Sequence, residues 1–218
     1  MARTDLADRG PAPRANAGTK GVPRAEREQQ ILTVASMAFG ADGFAATNIS
    51  EVARDAGISK PLVYNYFGSK EGLYAACLDE AGALVGDEIE RIARGDAVGI
   101  ERGIRTLEGM FALLDDQRHL WRLLHDRTAP ATGAVADIVR QHTERIDKLA
   151  HEGVTELLAL AGDTDERDIS VMTAAWLGIV DSLMDWWVAH PDESAAQMVE
   201  RVTRLFTALL GDVSAGPS

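Results

Sequence analysis

The side chains with the clearest chemical potential lie on one short segment, residues 59–66. Lys60 can donate hydrogen bonds to O6 and N7 of guanine, and Asn65 can bond adenine through both atoms of its amide. Pro61 and Leu62 can contact the methyl group of thymine. These residue types suit a short helix that presents its first turns to the edges of DNA bases.

The preceding residues have the pattern needed to position such a helix. Asn48 opens a capping box, which predicts a second helix over about 49–56. Gly57 lacks a Cβ and therefore allows a tight turn between two helices. Ser59 is predicted to cap a third helix over about 60–66. Two short helices joined in this way are typical of a helix-turn-helix, whose second helix enters the major groove.

Residues 25–73 resemble the N-terminal domain of the TetR family of transcriptional regulators. The matching segments, as they stand in this sequence, are Phe39-Gly-Ala-Asp-Gly-Phe44, Thr47-Asn48, Val52-Ala53, Ala56-Gly57-Ile58-Ser59, Tyr64-Asn65-Tyr66-Phe67 and Ser69-Lys70-Glu71. Gly72 departs from the pattern, because the family commonly has a charged helix former there, and a glycine is expected to weaken the first turn of the fourth helix.

The helix-turn-helix chemistry and the resemblance together imply a set of residues that contact either phosphates or bases. The DNA-binding set is Thr47, Asn48, Ser59, Lys60, Pro61, Leu62, Tyr64, Asn65, Tyr66 and Lys70. Within it, Thr47, Tyr64, Tyr66 and Lys70 are expected at phosphates. Three alternatives stay open: Tyr64 could pack under the fourth helix, Leu62 could belong to the core, and Lys60 and Lys70 could be solvated without contacting DNA.

Charge is distributed unevenly along the chain. Residues 1–70 hold nine basic and seven acidic side chains, whereas residues 71–218 carry a net charge of −14, giving −12 for the whole. An acidic body repels a polyanion, so any DNA contact is expected within the first 70 residues. Residues 1–23 are predicted to be a flexible tail, whose arginines could enter the minor groove or have no role.

Helical periodicity dominates from about residue 25 onward, so the fold class is predicted to be all-α. A first helix is expected over 25–40, ended by residues 41–43. The two domains expected are a helix-turn-helix domain over 24–70 and a helical effector-binding and dimerisation domain over 71–218. The later helices are predicted at about 70–93, 97–115, 118–127, 134–161, 166–189 and 194–211.

The last two helices are apolar around most of their circumference, which is typical of burial on two sides. They are predicted to pair with their copies in a homodimer, as the resemblance also implies, so that the DNA site would be palindromic. The alternative is that both complete a monomeric core. The predicted interface residues are Val171, Ala175, Gly178, Ser182, Val202, Leu205, Phe206 and Leu209.

Aromatic residues mixed with isolated polar groups suggest a pocket for a small apolar effector in the second domain. The predicted lining is Met110, Phe111, Leu114, Trp121, Leu124, His125, His142 and Trp176, although such residues at helical spacing more often form core. The histidines lack metal-ligand spacing, and no cofactor is expected.

The resemblance implies a DNA-binding transcriptional regulator, a repressor that a small-molecule effector releases from a palindromic operator. The alternative is a helical protein-interaction module with a vestigial helix-turn-helix. Enzyme activity is not expected, because the sequence has no phosphate loop, nucleophile elbow or zincin helix. The single Cys77, together with the lack of a long apolar run or an apolar leader, predicts a cytoplasmic protein without a membrane partner.

Overall fold

A computed structural model of the chain describes residues 22–210 and consists of helices and connecting turns, with no strand in that range. The prediction of an all-α fold is therefore confirmed. The predicted tail lies outside the described residues except for Val22 and Pro23. The helices are α1 Arg24–Ala46, α2 Ile49–Asp55, α3 Lys60–Phe67, α4 Lys70–Ala93, α5 Gly99–Leu114, α6 His119–Leu124, α7 Ala134–Leu160, α8 Glu166–Ala189 and α9 Ala195–Leu210.

The first three helices form a small core around α1. Ile31, Ala35 and Phe39 occur at intervals of four residues on one face of α1, and all three are buried. The regular part of α1 ends at Gly43, whose φ of 75° and ψ of 168° lie outside the helical region. This break falls within residues 41–43, the stretch predicted to end the helix, although the helical residues continue past the predicted end at residue 40. Gly57, with φ of 65°, forms the tight turn between α2 and α3 as predicted.

The junction of α3 with α4 explains the glycine at position 72. Ser69 caps α4, because its hydroxyl accepts a hydrogen bond from the Gly72 amide at 3.0 Å. A Cβ on Gly72 would lie 2.1 Å from the Phe67 carbonyl oxygen, so only glycine fits without a backbone shift. The close contact explains why a glycine stands here, and the expectation that it weakens the first turn of α4 stays a prediction. Ser59 differs from its prediction, since its side chain makes no capping hydrogen bond to α3.

The second domain packs α4 against α5 and α7, α7 also against α5 and α8, and α9 against α5. Its core continues directly into that of the first domain. The ring of Tyr74 on α4 lies edge-on to Phe39 and Phe44, at centroid distances of 4.8 and 5.1 Å. No helix in the described range has the length and apolar character to cross a lipid bilayer.

The short helix α6 is attached to both α1 and α8. A Cβ on Gly40 of α1 would lie 2.3 Å from the His119 carbonyl oxygen, so the two backbones are in close contact. At the start of α6, the Arg118 guanidinium lies 3.9 Å from the Trp187 ring centroid. Its Nη2 donates to the Glu193 carbonyl at 2.6 Å. The helix α6 therefore connects α1 of the first domain to α8 of the second.

Candidate nucleic-acid interface and ligand cavity

One face of α3 is open to solvent and carries the predicted base-contacting groups. Lys60, Pro61, Tyr64 and Asn65 are all exposed and share this face, as their spacing requires. Val63 lies on the opposite face and is fully buried, which fixes the orientation of the helix. The Lys60 ammonium lies 5.8 Å from the centroid of the Tyr64 ring. This face can donate hydrogen bonds to base edges in a DNA groove, and the Lys60 ammonium also gives it a positive charge.

Further donors flank this helix on both sides. Lys70, at the start of α4, lies 4.7 Å from the Phe44 ring centroid and donates to the Ala45 carbonyl at 3.4 Å. Arg24, which sequence reasoning placed outside the DNA-binding set, lies over the Tyr66 ring at 5.2 Å. Its proximity to α3 depends on tertiary packing and has no local sequence signal. Two more cations are thus available beside Lys60.

Asn48 and Ser59 occupy the N-cap positions of α2 and α3 and are exposed. The side-chain oxygen Oδ1 of Asn48 accepts a hydrogen bond from the Ser50 backbone amide at 2.9 Å. The side-chain NH₂ group of Asn48 can therefore still donate outward. Because Ser59 makes no cap bond, its hydroxyl can also serve an external acceptor. Leu62 and Tyr66 are half-buried at the edges of the exposed face.

Thr47 differs from its predicted role. Its side chain is only 4% exposed, and its hydroxyl donates to the Gly43 carbonyl at 2.7 Å. A hydroxyl has a single proton to donate, so this bond closes the end of α1 instead of reaching a phosphate. The expectation of a phosphate contact from the Thr47 hydroxyl is therefore corrected.

A cavity of about 560 Å³ lies in the second domain and is lined by residues of α4 to α9. Six predicted lining residues surround it: Met110, Trp121, Leu124, His125, His142 and Trp176. Phe111 and Leu114 do not, and their prediction is corrected, because both are fully buried in the core. The Phe111 ring packs edge-on against Trp187, at 5.1 Å between centroids.

Sequence reasoning missed the wall that α4 contributes to this cavity. Leu78, Gly82, Val85 and Ile89 line it at intervals of four, three and four residues. That helical spacing could have identified the face, although it does not distinguish a cavity wall from core. Gly82 allows close packing there, since a Cβ on it would lie 2.5 Å from the ring of His142.

A single carboxylate joins α4, the end of α1 and the loop after α6. Asp126 accepts hydrogen bonds from the Phe44 amide at 2.5 Å and from the Tyr74 hydroxyl at 3.0 Å. It also accepts from the amide and the hydroxyl of Thr128, whose Oγ in turn accepts from the Ala45 amide at 3.1 Å. We call Asp126, Tyr74, Phe44 and Thr128 the Asp126 junction.

The protonation states of the junction follow from its surroundings. Burial of Asp126 opposes its charge, but its hydrogen bonds from Phe44, Thr128 and Tyr74 outweigh that effect and lower its pKa. Burial, with the nearby Asp126 charge, raises the pKa of Tyr74. The phenol therefore remains a donor and the carboxylate remains an acceptor at neutral pH.

Most of the predicted dimer residues lie on an open face of α8 and α9. Val171 is 71% and Leu205 is 51% exposed, and Ala175, Gly178 and Ser182 are exposed beside them. The prediction for Val202 is corrected, because this side chain is buried in the chain's own core, whereas the half-buried Phe206 lines the cavity and its place in the interface stays a prediction. The prediction for Leu209 concerns a side chain outside the described part of the structure.

The side chains that could bind a metal ion are spread apart in residues 22–210. Within the part of the chain that the structure describes, no three His, Cys, Asp or Glu side chains come together as ligands. Cys77 is buried, and burial raises the pKa of its thiol to about 12. A thiol in this state is a poor metal ligand and nucleophile.

Comparisons with known proteins agree with this arrangement. Residues 31–77 match the family model of bacterial regulatory proteins of the tetR family. The transcriptional activator FasR of Mycolicibacterium smegmatis is 30% identical over 123 residues, a match covering 56% of this chain and 56% of FasR. The chain thus spans little more than half the length of that relative.

Solved structures resemble the chain over most of its length. A TetR-like transcriptional regulator from Rhodococcus sp. RHA1 is 27% identical, with a TM-score of 0.69 over 88% of this chain and 100% of that one. AibR, in complex with isovaleryl coenzyme A and operator DNA, is 18% identical, with a TM-score of 0.70 over 83% and 97% of the two chains. The likeness to AibR shows the fold alone. Residues 31–77 of this chain therefore match the DNA-binding part of the tetR family of bacterial regulatory proteins, and 88% of the chain shares the fold of a TetR-like regulator.

Proposed function

We propose that the protein is a homodimeric transcriptional regulator that represses by binding a palindromic operator and is released by a small-molecule effector. The observation that carries the proposal is the exposed face of α3, where Lys60, Tyr64 and Asn65 are available to DNA. Cations on this face and beside it favour phosphate contact, whereas the acidic second domain does not. A repressor of this kind acts in the cytoplasm, where the DNA is.

Dimer formation is supported by the open face on α8. Val171, Ala175, Gly178 and Ser182 follow one another at intervals of four, three and four residues and are all exposed. Small side chains in such a row let two helices approach closely, and Val171 offers apolar area. A two-fold dimer built on this face presents two copies of α3, and half-sites spaced about 34–36 Å apart would match one turn of DNA.

Effector control is supported by the position of α6 between the cavity and the first domain. Trp121 and Leu124 of α6 line the cavity. The residues that follow them, Asp126 and Thr128, hold the backbone amides of Phe44 and Ala45. A ligand that moves α6 therefore also moves the support of α1 and, through it, α3.

A second cavity extends this connection. It has a volume of about 380 Å³ and includes Tyr74 and Asp126 in its lining. Four residues line both cavities, so the two are adjacent: Leu78, Leu124, Val139 and Thr143. An effector that displaces these leucines would press directly on the Asp126 junction. Release follows only if the effector binds the DNA-free conformation more tightly, since equal affinity for both would shift nothing.

In vitro selection from a random duplex library tests the proposal. Purified protein should enrich a palindrome with half-sites about one helical turn apart, and its affinity should fall with added salt as ion release requires. Enrichment of an asymmetric site would contradict the dimeric arrangement. Failure to enrich any duplex at low salt would contradict DNA binding and favour a protein-interaction module.

A further inference from the structure

We propose that Arg127, in the loop after α6, contacts a phosphate of the operator, so that the DNA-binding surface extends into the second domain. This inference rests on the proposed function, because it adds a contact to the same protein–DNA interface. It departs from the expectation that DNA is contacted only within the first 70 residues. It is carried by the attachment of the loop beside Lys70 and by the exposure and charge of Arg127.

The loop after α6 is fixed against the end of α1 on both sides of Arg127. Asp126 accepts a hydrogen bond from the Phe44 amide at 2.5 Å. Thr128 Oγ accepts one from the Ala45 amide at 3.1 Å. Asp126 also accepts from the Thr128 amide at 2.8 Å, which closes a turn with Arg127 at its centre. The backbone of Arg127 is therefore held beside the last residues of α1.

The same part of α1 borders a predicted phosphate contact. The amide of Ala45 is bonded to the loop, and its carbonyl accepts a hydrogen bond from Lys70 Nζ at 3.4 Å. Ala45 and Ala46 are exposed and have small side chains, which leaves space for a phosphate along this segment. Ala45 therefore joins the loop to the start of α4, and Arg127 and Lys70 border the same open segment.

Arg127 carries an exposed positive charge in an otherwise acidic domain. Its side chain forms no ion pair with an acidic group among residues 22–208. The neighbouring Asp126 carboxylate is bonded to amides and hydroxyls of other residues. Arg140, the next arginine along the chain, pairs instead with Asp137 at 2.6 Å. A guanidinium in the state of Arg127 can donate two parallel hydrogen bonds to a phosphate group.

The position of the loop also links this contact to the cavity. Leu124, the last residue of α6, and His125 line the cavity. Only Asp126 lies between His125 and Arg127. An effector that displaces the end of α6 therefore also moves Arg127 relative to the operator. Effector binding then breaks a DNA contact in the second domain itself, besides acting on α1 and α3.

The salt dependence of DNA binding tests the proposal. Fluorescence anisotropy with the duplex obtained by in vitro selection measures the affinity of the full chain at several salt concentrations. Each phosphate contact contributes about 0.9 to the slope of log affinity against log salt concentration. A dimer holds two copies of Arg127, so the slope for Arg127→Ala should be shallower by about 1.8, with an affinity at least fivefold lower. Arg127→Lys keeps the charge and should keep the wild-type slope.

Arg91→Ala is the matched control. It removes an exposed arginine from the opposite end of α4, roughly 30 Å from Lys70 along the helix. Its slope should equal that of wild type. Arg127→Ala and Arg91→Ala should both melt at the wild-type temperature, because both side chains are exposed.

The possible outcomes separate this contact from the proposed function. An Arg127→Ala slope equal to that of wild type would overturn the proposal and leave DNA binding by α3 standing. An equally shallow slope for Arg91→Ala would also overturn it, because the effect would then come from net charge alone. If the wild-type protein binds no duplex, the proposed function fails and this contact fails with it.

Discussion

The phenol of Tyr74 donates a hydrogen bond to the Asp126 carboxylate at 3.0 Å, across 52 positions of the sequence. The same carboxylate holds the Phe44 amide at the end of α1. Tyr74 is fully buried on α4, so the carboxylate that holds the end of α1 is itself held by a side chain of the core. The junction therefore links the end of α1 to α4 and to the loop after α6.

Replacing Tyr74 with phenylalanine removes one donor from this junction without removing the ring. We expect Tyr74→Phe to lower the free energy of unfolding by about 1–2 kcal/mol, because a hydrogen bond to an ionised group is lost in a buried site. Tyr64→Phe is the matched control, because the Tyr64 side chain is exposed. It should change the free energy of unfolding by less than about 0.5 kcal/mol. Equal effects in urea denaturation would contradict the role assigned to the Tyr74 hydroxyl.

The Asp126 carboxylate should make stability depend on pH in acid. Its pKa is lowered in the folded chain, so the folded state binds a proton less readily than the unfolded state. The stabilisation is fully present above about pH 4, the ordinary range of an aspartate, and is lost as the pH falls through the lowered pKa. The stability difference between wild type and Asp126→Asn should therefore shrink below about pH 4. A difference that stays constant from neutral pH to pH 3 would contradict this account.

Replacing the glycine at the α3–α4 junction, Gly72, with a larger residue should destabilise the fold. Gly72→Ala forces a Cβ against the Phe67 carbonyl oxygen, and we expect a loss of about 1–3 kcal/mol of stability. Gly153→Ala in α7 is the control, because a Cβ there meets no atom within 4 Å. It should raise stability by about 0.5–1 kcal/mol through helix propensity. Thermal denaturation that shows the same sign for both variants would refute the close contact.

The exposed row of small residues on α8 should be the dimer contact. Gly178→Arg improves helix propensity, and because Gly178 is exposed and a Cβ there meets no atom within 4 Å, the monomer should stay folded. In a dimer the arginine would prevent close approach of the two helices, so the dissociation constant of the dimer should rise at least tenfold. Sedimentation equilibrium measures this, with Ala159→Arg on the exposed side of α7 as control. An unchanged dimer in Gly178→Arg would place the interface elsewhere.

Local patterns were sufficient to predict the helices. The bounds of α4 at residues 70 and 93 and of α8 at residues 166 and 189 agree with the prediction, because a cap and an apolar period mark each of them. The end of α6 was predicted three residues too late, since the chain leaves the helix to form the turn at Asp126. That turn is stabilised by contacts to α1, which lie far away in sequence.

The site was less predictable wherever it depends on tertiary contacts. The face of α3 follows from its own spacing, so the exposed positions of Lys60 and Asn65 could be anticipated. The bond between Asp126 and Phe44 spans 82 positions and carries no local signal. Phe206 was assigned to the dimer because it is apolar, but apolarity alone does not distinguish a cavity wall from an interface.

Fluorescence anisotropy with the duplex obtained by selection tests the central claim most directly. The variant Lys60→Ala with Tyr64→Ala should bind that duplex at least a hundredfold more weakly than wild type, with an unchanged melting temperature. Lys148→Ala removes one exposed cation from α7 and should bind as wild type does. If the double variant keeps wild-type affinity and salt dependence, α3 is not the DNA-binding helix and the account is contradicted.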